Sequence, residues 1–129
     1  MALNEILRDA DSVAYSFGSS NPGIASGDFV SLETTAPGTL HGVAEVAATL
    51  REDGNYWATI RHTGVFSGTT TDTAAIVRGA KLYLTAANAP GASVVTAAAA
   101  AGANFLIGVA IEAKGSTTGS QPIKVRVNN

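Results

Sequence analysis

The sequence contains no cysteine, so neither a disulfide framework nor a thiolate metal site can form. Charged residues are also scarce, at 14% of the 129 residues, compared with about 25% in an ordinary globular domain. The formal net charge of −2 provides no basic field that would hold nucleic acid. Two interpretations of the low charge stay open: a surface that is covered by a partner, or a general bias towards small residues. A chain of this length is expected to form one domain.

A long uninterrupted apolar run is also missing. The least charged stretch extends from Ser93 to Ala113, but polar and glycine residues interrupt it, whereas a membrane helix needs about 20 predominantly apolar residues. We therefore expect no membrane span. Period-two alternation on either side of five alanines favours a β-hairpin of SVVTA and NFLIGVAIEA, with a short Ala helix as the alternative. No basic run precedes an apolar segment near residue 1, so no secretion signal is expected.

The first section of the sequence differs from the rest. Apolar residues recur there at the i, i+3, i+4 spacing of one helical face, namely Leu3, Ile6, Leu7, Ala10 and Ala14. The turn-forming sequence GSSNPG follows at residues 18–23. We predict an N-terminal arm and linker over residues 1–23 and a single β domain over residues 24–129. The apolar stripe has two possible receptors that the sequence does not distinguish, its own core and the surface of a neighbour.

Short strands alternate with glycine-containing turns from residue 24 onward. In the last strand, Ile123, Val125 and Val127 face one side, while Lys124 and Arg126 face the other. Roughly eight or nine such strands occur at regular spacing. This pattern is typical of an all-β fold, either a small barrel or a sandwich of short antiparallel strands.

Residues with catalytic or ligand-binding chemistry are few. His41 and His62 lie in predicted strands without an acidic neighbour in sequence, so we expect surface or interface residues. Ser67, in GVFSG, lacks the spacing of a nucleophile elbow. In AKGSTTGS, Lys114 precedes the glycine, whereas a phosphate-binding loop has its lysine after the second glycine. This segment is predicted to be a solvated hairpin loop, and no metal, cofactor or small-molecule substrate is expected.

One enzyme family is partly similar to this chain. The segment TDTAAIV, with Asp72, Thr73 and Ala74, resembles the D-[ST]-G-A loop of retroviral-type aspartic proteases, and FLIG at residues 105–108 resembles their later apolar-glycine segment. Such enzymes are all-β homodimers in which two aspartates share one proton. However, Ala74 replaces the glycine of the loop, and threonines precede Asp72 where an apolar strand is expected. We predict no cleavage activity and an exposed turn at Asp72, and keep the protease as an alternative function.

Seven segments follow one another over about residues 24–129: SGDFVSLE, HGVAEVAATL, TGVFSG, IVRGAKLYLT, VVT, FLIGVAIEA and IKVRVN. Their order is similar to that in the small capsid decoration, or cement, proteins of tailed bacteriophages. The typical succession there is a Gly-Asp strand, G-V-A, G-V-F, G-x-x-[LV]-Y, a threonine strand, I-G-V-A and a last strand with alternating basic residues.

This resemblance implies a structural protein and not an enzyme. The implied fold is a small β-tulip-like barrel or sandwich, and the implied assembly is a homotrimer on the outer surface of the capsid, made in the host cytoplasm. The phage major capsid protein is the expected partner, with no nucleic acid and no membrane. If the arm contacts the capsid or a neighbouring copy, the contacting residues are Leu3, Ile6, Leu7 and Ala10. A β-module of a phage tail or adhesin is a further alternative.

Overall fold

The computed structural model describes residues 12–128, which form ten strands and two short 3₁₀ turns. The all-β prediction is confirmed. The strands are β1 (Ser12–Ser16), β2 (Phe29–Ser31), β3 (His41–Ala44), β4 (Thr49–Leu50), β5 (Tyr56–Arg61), β6 (Thr63–Thr70), β7 (Lys81–Leu84), β8 (Gly91–Ala92), β9 (Phe105–Ala110) and β10 (Gln121–Asn128). The 3₁₀ turns are Ala86–Asn88 and Ala100–Gly102.

The strands form two antiparallel sheets that pack as an open sandwich. Sheet A has the order β1-β5-β3-β2-β8, and β4 also pairs with β5. Sheet B has the order β6-β10-β9-β7. The chain passes from sheet A to sheet B at His62, between β5 and β6. Of the two architectures that the sequence predicted, the sandwich is therefore correct and the closed barrel is not.

The main core lies between the two sheets because successive residues of a strand face opposite sides. Phe29 and Val43 of sheet A share this core with Val125 of sheet B. Val30 follows Phe29 and faces the other side of sheet A. It belongs to a second cluster, which also contains Ile24, Ala44, Ala58 and Ile60. Sheet A is thus buried on both faces over its central strands.

The last strand has the predicted arrangement. Ile123, Val125 and Val127 are buried, whereas Lys124 and Arg126 are exposed. Strand β10 pairs with β6 over its whole length and with β9 at Val125 and Arg126. It is thus a central strand of sheet B, with one face on the core and the other in solvent.

The predicted hairpin in the least charged stretch is wrong in its pairing. Strand β9 pairs with β7 and β10, whereas the segment before the alanines forms isolated bridges, Val94 beside Thr69 and Thr96 beside Tyr83. The alanine run ends in the 3₁₀ turn Ala100–Gly102 and not in an α-helix. Val95 is buried in the main core, which holds this segment along the sandwich. Among residues 12–128, no helix is long and apolar enough to cross a bilayer.

The end of the predicted arm belongs to sheet A. Strand β1 pairs with β5 from Ser12 opposite Arg61 to Ser16 opposite Trp57. Ala14, which the sequence pattern placed on a helical face, therefore lies in a strand, because pairing with β5 satisfies its backbone groups. The other members of the apolar stripe lie outside the described residues: Leu3, Ile6, Leu7 and Ala10.

Candidate interaction surfaces

Asp72 follows β6 and is half-buried, which corrects our prediction of an exposed turn. Its Oδ1 accepts a hydrogen bond from the Thr96 hydroxyl at 2.8 Å, and its Oδ2 accepts one from the Ala97 N–H at 2.8 Å. Both carboxylate oxygens therefore fasten a neighbouring segment of the same chain. The FLIG segment that resembled a protease motif lies in β9, where Ile107 is fully buried in the core.

Lys114 is buried, whereas the sequence predicted a solvated loop. Its ammonium group donates hydrogen bonds to the backbone carbonyl of Asp72 and, at 3.0 Å, to that of Ala74. Its own backbone exchanges two hydrogen bonds with Ile76, each 2.8 Å long. Residues 115–120 are exposed, as expected for a loop. The buried cation thus holds the loop after β6 and is not free to bind a phosphate.

The two histidines are buried, and not exposed as the sequence led us to expect. His62 Nδ1 lies 3.0 Å from the backbone carbonyl oxygen of His41, and His62 Nε2 lies 2.8 Å from the Tyr15 hydroxyl. Burial lowers the pKa of His41, with a hydrogen bond to the Thr39 backbone opposing this effect. The described residues contain no group of three His, Cys, Asp or Glu that could hold a metal ion. The His62 ring therefore ties β1 and β3 to the corner between the sheets.

The outer face of sheet B has a row of alternating aliphatic and basic side chains. Val65 lies opposite Arg126, Arg126 opposite Val109, and Val109 opposite Lys81. Lys124 lies on the same face, because it alternates with the buried residues of β10. Val65 is 55% exposed. We call these five residues the basic face.

A second exposed surface runs along sheet A beside β5. The Glu45 N–H bonds to the Thr59 carbonyl at 2.9 Å, and β4 follows along the same strand. Val46 and Leu50 are 53% and 58% exposed. We call Glu45, Val46, Leu50 and Glu52 the acidic edge. It presents two carboxylates beside two aliphatic groups.

Trp57 lies next to the acidic edge in a fixed orientation. Its indole N–H donates to Asp53 Oδ2 at 3.0 Å, and the Arg51 guanidinium carbon lies 4.9 Å from the ring centre. The Asn55 backbone N–H is the largest cause that lowers the pKa of the Asp53 carboxyl. Asp53 and Arg51 are thus engaged within their own turn, whereas the carboxylate of Glu52 has no such role in the described contacts.

A wide apolar groove of about 770 Å³ lies at the Ser16 end of β1. Its wall includes Tyr15, Phe17, Leu32 and Phe105. Glu33 lies at the groove, but its carboxylate accepts hydrogen bonds from the backbone N–H groups of its own loop, which lower its pKa. The aromatic and aliphatic part of its wall can receive apolar side chains.

Sequence reasoning missed both exposed surfaces. Alternation in β10 placed Lys124 and Arg126 on the outer face, but their neighbours Val65 and Lys81 come from strands that only the sheet register brings beside them. The acidic edge had a weaker signal, because this part of the chain is β3, a loop and the two-residue strand β4.

The chain matches a known protein family. A family model described as phage cement protein matches residues 9–127. No curated protein matches the chain. The matched range contains all ten strands except the last residue of β10.

Proposed function

Since the chain belongs to the phage cement protein family and is therefore a structural protein of the phage capsid, we propose that it binds the outer surface of the shell. It strengthens the shell against the outward pressure of packaged DNA. The observation behind this proposal is the family match over residues 9–127, which includes both sheets. The partner is the major capsid protein, which the chain meets after synthesis in the host cytoplasm.

The proposed stabilisation is mechanical and needs no catalytic group. A molecule that contacts several coat subunits adds interface that must break before the shell opens, so the shell gains stability by linkage to the bound state. The exposed aliphatic groups of Val46, Leu50 and Val65 support a broad protein contact. Exposed aliphatic groups of this kind suit contact with a protein lattice better than binding of a small molecule.

The proposed assembly is a homotrimer at the three-fold positions of the shell. Strand β1 is the edge of sheet A, and an edge strand presents unpaired backbone groups that native proteins usually cover. Contact with neighbouring copies or with the coat would cover them.

The proposed contacting residues of the arm are Leu3, Ile6, Leu7 and Ala10. The arm joins the domain at Ser12, whose hydroxyl hydrogen-bonds to Glu45 of the acidic edge. Its receptor is the coat protein or a neighbouring copy, because an amphipathic segment of this length is marginal alone in water.

The test is to mix the full chain with expanded capsids that lack cement protein. We expect saturable binding at a fixed ratio to the coat protein, extra density on the outer surface in electron microscopy, and DNA release at a higher temperature. Capsids that already have their cement protein serve as the control and should bind little. Absence of binding to the shell, or binding only to tails, would reject the proposal.

A further inference from the structure

Charge is divided unequally between the two halves of the described chain. Residues 12–62, which contain most of sheet A, include two basic and five acidic residues, a net charge of −3. Residues 63–128, which contain sheet B, include five basic and two acidic residues, a net charge of +3. The small net charge of the whole chain therefore hides two opposite halves.

The positive charge of sheet B is concentrated on the basic face. Lys81, Lys124 and Arg126 are exposed there, whereas Lys114 is buried and donates hydrogen bonds to backbone carbonyl groups of its own chain. The Glu112 carboxylate lies nearby, 3.6 Å from the Lys124 ammonium group. Val65 and Val109 lie between the cations, so a partner would meet both apolar and positive groups.

The acidic edge has the complementary composition. Glu45 and Glu52 are exposed, and Val46 and Leu50 lie between them in sequence. The acidic edge thus combines two exposed aliphatic groups with carboxylates, whereas the basic face of sheet B combines two aliphatic groups with cations.

A closed ring of three copies needs two different surfaces on each copy, because its contacts are head to tail. We propose that the basic face of one copy binds the acidic edge of the next, an inference that rests on the trimer proposed above. Opposite charge selects this pairing over contact between two like surfaces. Contact between the aliphatic groups supplies the desolvated centre of the interface.

Charge reversal in the full chain tests this interface. One variant combines Lys81→Glu with Arg126→Glu, a second combines Glu45→Lys with Glu52→Lys, and a third contains all four changes. Sedimentation equilibrium at low salt should show that each reversal alone raises the dissociation constant at least about tenfold, because like charges then face each other. The four-fold variant should return to within about threefold of the wild type, since both surfaces change sign together. Arg78→Glu, an exposed change outside both surfaces, is the control and should have little effect.

Salt provides a second measurement that needs no variant. Raising the ionic strength from about 0.1 M to about 1 M shortens the Debye length from about 10 Å to about 3 Å, so the wild-type trimer should dissociate more. Circular dichroism spectra of the variants, compared with that of the wild type, serve as the control for folding. The proposed interface would be overturned if neither charge reversal nor salt changed the dissociation constant of the trimer. It would also be overturned if the variant with all four changes bound as weakly as the variants with one surface reversed. A monomeric wild type would also overturn it, and capsid binding, measured separately, would show whether the proposed function still holds.

Discussion

At the scale of single residues, buried polar groups hold the loops of the sandwich. Lys114 donates to the carbonyl groups of Asp72 and Ala74, and the Asp72 carboxylate accepts from Thr96 and Ala97. Buried polar groups are costly unless they are hydrogen-bonded. These side chains therefore stabilise the loops, although an aspartate and a lysine suggest catalysis or ligand binding when the sequence is considered alone.

Asp72→Asn should reveal a structural role and no catalytic one. The amide keeps one acceptor oxygen but places an N–H donor where the other carboxylate oxygen accepts from Thr96 or Ala97, so the free energy of unfolding should fall by about 1–3 kcal/mol. Urea unfolding measures this change, and Thr73→Ala, an exposed residue of the same loop, is the control. Neither the wild type nor the variant should cleave peptides at acid pH. Wild-type cleavage that disappears in the variant would establish the protease alternative.

The buried His41 should make stability depend on pH. Its pKa is about 6.5 when exposed, and burial lowers the pKa in the folded state. The unfolded chain therefore binds a proton more readily, and stability falls as the pH decreases below 6.5 towards the lowered pKa. Urea unfolding between pH 7.5 and 5.5 should show this loss, with a flatter profile for His41→Gln.

Two carboxylates act in a different pH range. The lowered pKa values of Glu33 and Asp53 provide stability that is present above their ordinary values and is lost as the pH falls further.

Equal slopes for wild type and His41→Gln between pH 7.5 and 5.5 would contradict the role of His41. An NMR titration of the His41 ring should give a pKa below 6.5.

At the scale of elements, β1 separates the arm from the domain. Its pairing with β5 and the contact between Tyr15 and His62 make residues 12–16 part of sheet A. A deletion intended to test the arm must therefore end before Ser12.

Deletion of residues 1–11 should leave the domain about equally stable and weaken its binding to expanded capsids. Deletion of residues 1–16 should lower the melting temperature as well, because it removes β1 and the hydrogen bond of Tyr15. Ile6→Asp combined with Leu7→Asp should behave like the shorter deletion, since a charge in an apolar contact is costly. Occupancy on capsids and thermal unfolding of the free protein measure the two effects.

The outcomes for the arm are distinct. Unchanged occupancy after deletion of residues 1–11 would exclude the arm from binding. A large fall in melting temperature after the same deletion would show that the apolar stripe packs on its own domain.

At the scale of the whole molecule, the two sheets present surfaces of different charge to their surroundings. The basic face and the acidic edge belong to different sheets, and the proposed trimer requires each copy to contact two neighbours at once through them. A clamp between neighbours is the property that the proposed function requires.

The protection of the shell should depend on the amount of packaged DNA. Bound cement protein stabilises the closed shell against opening, because it binds the closed state. Decorated capsids with full-length genomes should therefore release DNA at a clearly higher temperature than undecorated ones. The difference should shrink for shortened genomes, whose pressure is lower. Fluorescence of a DNA-binding dye during heating measures the release, and protection that is independent of genome length would contradict a role against pressure.

Several features of this protein follow from the sequence alone. The alternation of Ile123, Val125 and Val127 with Lys124 and Arg126 predicted the faces of β10 correctly, because side-chain direction in a strand has a local period of two. The order of strand motifs indicated an all-β cement protein, which the fold and the family match confirm.

Other features were decided only by the tertiary structure. Four features depend on contacts between residues that are distant in sequence. They are the pairing of β1 with β5, the bridges formed by Val94 and Thr96, the burial of Lys114 and His62, and the row of side chains from Val65 to Lys81. Periodicity shows which side of a strand is apolar, but it does not show which strand lies beside it. The basic face was therefore hidden from sequence analysis, because its strands β6, β7, β9 and β10 lie beside one another only when sheet B forms.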